Sequence, residues 1–183
     1  MINSIFTGLI VVVLSGIGLE DAIAQQIQWN MNGAGCVPTD TAIQNDSYII
    51  TAGKIKFKDS KVGSITIICP VPFRLGLINS IGVSYRDSTG VNTSARLQAA
   101  LRRIRTFNGS VSTVPGLVFD SNNVGETGYT FSVAPQTSYI FPGTFFYHFI
   151  QVTLTRSSTS EIIEFGGFEL ACSSQNMDCA PPP

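Results

Sequence analysis

The chain has 183 residues, a formal net charge of −1 and only 13% charged side chains. A nearly neutral protein has no global field for capturing nucleic acid or an anionic membrane surface, which sets those two classes of function aside. The scarcity of charge leaves the surface to Ser, Thr, Asn and Gln, a composition of secreted β proteins rather than of disordered chains.

The first predicted element is an apolar run from Phe6 to Leu19. It is short for a bilayer core and fits the apolar region of a signal peptide, and Ala22-Ile23-Ala24 supplies a small-x-small cleavage pattern. The alternative, a retained N-terminal anchor, is opposed by Glu20 and Asp21 beside the run. Cleavage after Ala24 (signal peptide 1–24) removes those two acids and moves the net charge from −1 to +1. Residues 25–35 form an N-terminal segment, 36–172 one β domain, and 173–183 a tail ending Ala-Pro-Pro-Pro that cannot join a sheet. Export together with the four cysteines, Cys36, Cys69, Cys172 and Cys179, predicts two disulfides. Three pairings are open. Cys36–Cys69 with Cys172–Cys179 is favoured, because the latter closes the short loop CSSQNMDC. A zinc site is the alternative, and no C-x-x-C or paired Cys/His spacing supports it.

Between the cysteines the pattern is all β: short alternating runs punctuated by Gly, Pro, Asn, Asp and Ser. Two short strands are predicted around Ala52-Gly53. In Lys54-Ile55-Lys56-Phe57-Lys58 lysine alternates with apolar residues, which predicts one buried face and one lysine face on an edge strand. Further strands are predicted at Gly63–Cys69, Ile81–Arg86, Leu117–Asp120, Tyr129–Val133, Thr144–Arg156 and Glu161–Cys172, the last with a bulge at Gly166-Gly167. Eight to ten strands at this spacing predict a two-sheet antiparallel sandwich of jelly-roll type.

The stretch Ser94–Phe107 carries four of the arginines and two competing periods. As a helix, Leu97, Ala100, Leu101, Ile104 and Phe107 share a stripe. As a strand, Leu97, Ala99 and Leu101 point in, and a bulge at Arg102-Arg103 turns Ile104 inward between outward Arg103 and Arg105. Context favours the strand, with Arg96, Arg102, Arg103 and Arg105 as an exposed stripe facing solvent, an anion or a partner.

Candidate chemistry is sparse. His148, the only histidine, shares a face with Phe146, Ile150, Val152 and Leu154 and reads as a core-edge residue rather than a base. Nothing resembles a nucleophile elbow, and no Cys is expected free. Glu161, Glu164 and Glu169 could form a carboxylate pair only if the Gly166-Gly167 bulge permits. Asp120, Asn122 and Glu126 form a candidate calcium loop, although the loop lacks the EF-hand pattern. Asn45, Asn92 and Asn108 head N-x-[ST] sequons, which act as glycosylation acceptors only in a eukaryotic secretory pathway. Trp29, Tyr85, Tyr139 and Tyr147 are candidates for a sugar-stacking platform, against the commoner role of aromatics in a core.

The Cys-Val-Pro at Cys36, Ile-Thr-Ala-Gly at Ile50, Gly-x-Ile-x-x-x-Cys-Pro-Val from Gly63 to Val71, and Val-Thr-Leu-Thr-Arg-Ser from Val152 to Ser157 together resemble small secreted bacterial β-sandwich proteins of uncharacterised function. The resemblance spans residues 36–171 and implies a sandwich and export, with no activity attached. The stretch Ile163–Leu170 is similar to the last strand of jelly-roll carbohydrate-binding modules. The functional expectation is a secreted, non-catalytic structural or interaction protein, contacting a protein partner or its own copies. A glycan-binding module of jelly-roll type is the alternative, and a hydrolytic enzyme ranks behind both. No cofactor beyond calcium is expected, and no stable membrane insertion follows once the leader is cleaved.

Overall fold

The structure is a computed structural model that describes residues 25–39, 46–72, 75–134, 137–142 and 144–173. The leader, the Asn45 sequon and Cys179 lie outside them. The described residues form thirteen strands: β1 (Gln25–Asn32), β2 (Val37–Pro38), β3 (Tyr48–Thr51), β4 (Lys54–Phe57), β5 (Gly63–Pro70), β6 (Leu77–Ile78), β7 (Ser80–Asp87), β8 (Ala95–Arg105), β9 (Val111–Asp120), β10 (Tyr129–Val133), β11 (Tyr139–Ile140), β12 (Phe146–Arg156) and β13 (Ile163–Ser173). Two antiparallel sheets hold most of them. A six-stranded sheet runs β10-β7-β13-β4-β3 with β1 added to β13, and a five-stranded sheet runs β2-β5-β12-β8-β9. β6 and β11 make a separate two-stranded ladder.

The sandwich follows from period-two burial. In β8, Ala95, Leu97, Ala99 and Leu101 are buried, and across the ladder they meet Arg156, Leu154, Val152 and Ile150 of β12. From the other sheet come Ile55, Phe57, Ile81, Val83, Tyr85, Phe165, Phe168 and Leu170, so the two inner faces close one core. Ser94–Phe107 is therefore strand and turn, not helix: alternation against a facing sheet overrides the helix propensity of Ala, Leu, Arg and Gln.

Three sequence expectations shift. The lysine-bearing strand β4 has Lys54 and Lys56 outward over buried Ile55 and Phe57, as its alternation requires, but it is no edge, because β3 covers it from Tyr48 to Thr51. The arginine strand β8 contains no bulge at Arg102-Arg103; it pairs with β12 without a break from Ala95 to Arg105. The irregularity lies in its other neighbour, β9, where the register jumps between Ala100 and Arg102 around Val114-Pro115-Gly116-Leu117. Proline there has no N–H for the ladder, so the extra residues loop out of it. β1 was not legible as a strand, yet it pairs with β13 from Gln25 to Asn32.

Cys36 and Cys69 are joined by a disulfide, tying the start of β2 to the inner face of β5. Cys172 is disulfide-bonded as well, and Cys179, its expected partner, lies outside the described residues. In β13 the register slips between Phe165 and Gly167, placing the bulge at the glycine pair. Phe165 is in the core before the slip and Phe168 and Leu170 after it. The slip also puts Glu164 and Glu169 on the same outer face. Arg156 at the end of β12 donates to the carbonyls of Lys58, Asp59, Lys61 and Glu161, clamping two loops to the sandwich.

Candidate functional site

The outer face of the six-stranded sheet carries a hollow on which several polar groups converge. β10 alternates Tyr129, Phe131 and Val133 outward, exposed to 49%, 46% and 43%, with Thr130 and Ser132 inward. Such rings ordinarily fold into a core. Here they lie across a floor without side chains. A Cβ placed on Gly82 of β7 would overlap the Phe131 ring, and one on Gly166 of β13 would overlap the Tyr129 hydroxyl. Glycine at these two places makes room for the Phe131 ring and the Tyr129 hydroxyl on the backbone, and both side chains stay about half exposed.

Polar groups converge beside the rings. Asn30, Asn32, Ser84 and Glu169 line a hollow of about 280 Å³ together with Phe131, Gly166, Gly167 and Phe168. The Lys54 ammonium sits 3.9 Å from the Tyr129 ring centroid, a contact that fixes the ring through its quadrupole. Burial raises the Glu169 carboxyl above its ordinary range, and burial followed by the nearby Glu164 charge raises the Tyr129 phenol. The half-exposed Phe131 ring with Tyr129 beside it, two carboxamides, a hydroxyl and a carboxylate suit a polyhydroxylated ring. Its C–H face stacks on an aromatic, and its hydroxyls need both donors and acceptors. Glu164 and Glu169 are both half-buried on this surface.

The expected arginine stripe divides. Arg96 and Arg102 lie on the outer face of the five-stranded sheet. Arg96 binds the Asp120 carboxylate through Nε, 3.0 Å from Oδ1, and through a terminal nitrogen on Oδ2. Because β8 has no bulge, Arg103 and Arg105 fall on the opposite side, beyond the end of the core. Arg103 donates to Ser112 Oγ at 3.0 Å and stacks on Phe146, with its guanidinium 4.8 Å from the ring centroid. Arg105 lies over Phe107 and Phe146.

Asp120 of the candidate calcium loop is turned onto other partners. Besides Arg96 it accepts from Gln98 Nε2 at 3.2 Å and from the Asn122 backbone N–H at 3.2 Å. Burial alone would raise its carboxyl, and these hydrogen bonds outweigh burial and hold it below the ordinary carboxylate range. Glu126 is exposed, and Asn122 Oδ1 is buried without a partner. Among the described residues no group of three or more His, Cys, Asp and Glu gathers to hold a metal ion. The start of the same loop is braced by Ser121, which donates to Asp87 at 2.6 Å and accepts from the Leu97 N–H at 2.9 Å.

His148 is 5% exposed, its Nε2 2.8 Å from the Tyr139 hydroxyl and its Nδ1 buried without a partner. Burial first and Arg103 second lower its pKa to about 4, so the imidazole is neutral at pH 7. Phe141 packs 4.4 Å away, ring centroid to centroid. The four suggested stacking aromatics are scattered: Tyr85 is fully buried, Trp29 and Tyr139 pack on the core, and Tyr147 alone is 58% exposed. Asn92 and Asn108 accept from the backbone N–H of Ser94 and Ser110 in exposed turns. The rings that do make a platform, Tyr129 and Phe131, were legible only as alternation in a strand. The glycines beneath them come from β7 and β13, a pairing no single stretch of sequence reveals.

No family model matches this chain, and no curated protein does. Among solved structures, a low-affinity xylan-binding module from Roseburia intestinalis is similar at a TM-score of 0.42 and 10% identity, covering 80% of this chain and 94% of its own. A family 29 carbohydrate-binding module from Piromyces equi is similar at a TM-score of 0.37 and 10% identity, covering 86% and 96%. The Cry4Aa toxin from Bacillus thuringiensis is similar at 0.39 and 14%, covering 77% and 23%. Likenesses this distant carry no argument about ligand or activity. Among the described residues no helix is long and apolar enough to cross a membrane.

Proposed function

We propose that the protein is a glycan-binding module that holds a neutral saccharide on the outer face of its six-stranded sheet. The observation that carries this reading is the pair of half-exposed rings, Tyr129 and Phe131, laid on glycine backbone, with Phe131 beside Asn30, Asn32 and Glu169. Tyr129 and Phe131 supply the stacking surface, Asn30 and Asn32 donate to and accept from hydroxyls, and Glu169 accepts. Affinity electrophoresis and calorimetry on soluble xylan, galactan and glucan test it, with Tyr129→Ala/Phe131→Ala as the comparison. A retarded wild type and an unretarded double variant support the platform. Equal mobility of both proteins on every polysaccharide removes it.

A second reading rests on the end of the sandwich. Phe107 is 71% and Phe145 60% exposed, and the Thr106 N–H to Phe145 carbonyl bond of 3.0 Å brings their two loops together beside Arg105. Phenylalanine and arginine are both enriched in protein interfaces, and a second copy of this chain is one partner that could meet them. Light scattering tests this, with a concentration-dependent mass that Phe107→Ser/Phe145→Ser abolishes as the supporting result.

A further inference from the structure

We infer that the outer face of the five-stranded sheet is a second binding site, for the carboxylate of an acidic saccharide, with Arg102 as its anchor. The site rests on the reading of the protein as a saccharide binder and lies on the opposite side of the sandwich from the aromatic platform.

Three observations carry it. First, a hollow of about 160 Å³ opens at the middle of this face, over Ala100. Ala100 is flanked across the ladders by Gln151 and Val118, and its small side chain leaves the space between them empty. Second, Arg102 lines that hollow, and its Nε–H is buried without a hydrogen-bond partner. A buried donor left unmade is costly, and the guanidinium fork matches the two oxygens of a carboxylate. Third, among the described residues the strands of this face offer no free acid to satisfy it. Asp120 is the one acidic side chain that β5, β8, β9 and β12 contain, and it is bound to Arg96 and Gln98.

The rest of the lining selects the kind of carboxylate. Gln98, Gln151 and Thr153 are neutral amide and hydroxyl groups, suited to the hydroxyls of a sugar rather than to an apolar acid. The rings near Arg102 are Phe149, which is buried, and Tyr147 further along β12, so the hollow itself has no flat apolar wall. Binding here therefore depends on charge and hydrogen bonds, where binding on the other face depends on stacking. A polysaccharide chain carrying both neutral and uronic residues could engage the two faces of different molecules and be cross-linked by them.

The test uses the full chain and four probes: oligogalacturonate, its methyl ester, acetate, and a neutral xylo-oligosaccharide. Calorimetry should show oligogalacturonate binding that weakens with added salt, weakens at least tenfold on esterification, and is lost in Arg102→Gln. Ala100→Leu fills the hollow without touching a charge and should abolish the same binding while the protein stays folded by circular dichroism. Tyr129→Ala/Phe131→Ala should leave it unchanged. No binding of oligogalacturonate, equal binding of its ester, full competition by equimolar acetate, or an indifferent Arg102→Gln overturns the inference. If the neutral probe alone binds, the aromatic platform stands and this site falls. If oligogalacturonate alone binds and depends on Arg102, the reverse holds.

Discussion

The two outer faces of the sandwich are built on the same backbone pattern and differ in what lies beneath their functional side chains. On the six-stranded sheet, glycines remove the floor and large rings lie down into the space. On the five-stranded sheet, Ala100 lowers the floor at one point, while Arg102, Gln98, Gln151 and Thr153 stand around it. One face presents shape and apolar area, the other donors and charge. The difference shows that side-chain size under a site decides its chemistry as much as the residues that line it.

The largest expected effect breaks the aromatic face from below. Gly167 has a φ of 153°, and a Cβ there would overlap the Met31 carbonyl and stand 3.0 Å from Asn32 Cα. Both obstacles are backbone of β1 and cannot step aside. Gly167→Ala is expected to cost about 3 kcal/mol, read from urea unfolding, and to take the saccharide affinity of this face with it. An equivalent loss of space on the other face, Ala100→Leu, should leave unfolding within about 1 kcal/mol of wild type, because that side chain enters a hollow.

Asp120→Asn sharpens the contrast at the charged face. It removes a carboxylate held by Arg96, Gln98 and the Asn122 N–H and should cost about 1–2 kcal/mol at pH 7, discounted for the partial exposure of the pair. The sign with pH follows from its lowered pKa. The stabilisation is present above the unfolded value near 3.8 and is lost as pH falls through the folded value. Wild type should therefore lose stability faster than the variant in acid denaturation below that point, and parallel curves would contradict the pairing.

Gly82→Ala is a smaller perturbation. Its Cβ meets the movable end of Phe131 and Glu169 Cγ at 2.9 Å, so the ring swings aside rather than the strand. Affinity for neutral saccharide should drop several-fold with stability changed by less than about 1 kcal/mol. The smallest effect belongs to Lys54→Ala, which removes the ammonium over Tyr129 at a cost of about 0.5 kcal/mol. Both variants should leave oligogalacturonate binding untouched, and a change there would mean that the two faces communicate.

Most of the fold is readable in the sequence, because burial on one face writes a period of two into the residues. Ile55 and Phe57 between lysines, Ile65 and Ile67 in β5, and Ile150, Val152 and Leu154 in β12 all carry it. The bulge at Gly166-Gly167 was legible from the glycine pair itself, whereas the Cys36–Cys69 bridge, across 33 residues of sequence, was the favoured one of three open pairings. The division of the arginines was not. Parity within Arg102-Arg103-Ile104-Arg105 depends on which neighbour absorbs the irregularity, and Pro115 of β9 does so. The aromatic platform was hidden for a related reason. Tyr129 and Phe131 become a surface only because glycines far away in sequence are their neighbours across two ladders, and Trp29 and Tyr85, equally aromatic, meet the core instead.

The slip in β13 has a consequence for how this sequence tolerates change. Residues 163–165 and 168–172 are two readings of the same alternation, out of phase by one, and Gly166 is where the phase resets. Substituting a side chain on either half alters one position. Deleting a single residue at the glycine pair would remove the extra residue and leave one continuous alternation, with Phe165, Phe168 and Leu170 still on the core face and Glu169 still outward. The bulge is therefore the one place where this strand can lose a residue and keep its faces, whereas a deletion within residues 168–172 would turn every residue beyond it to the other side.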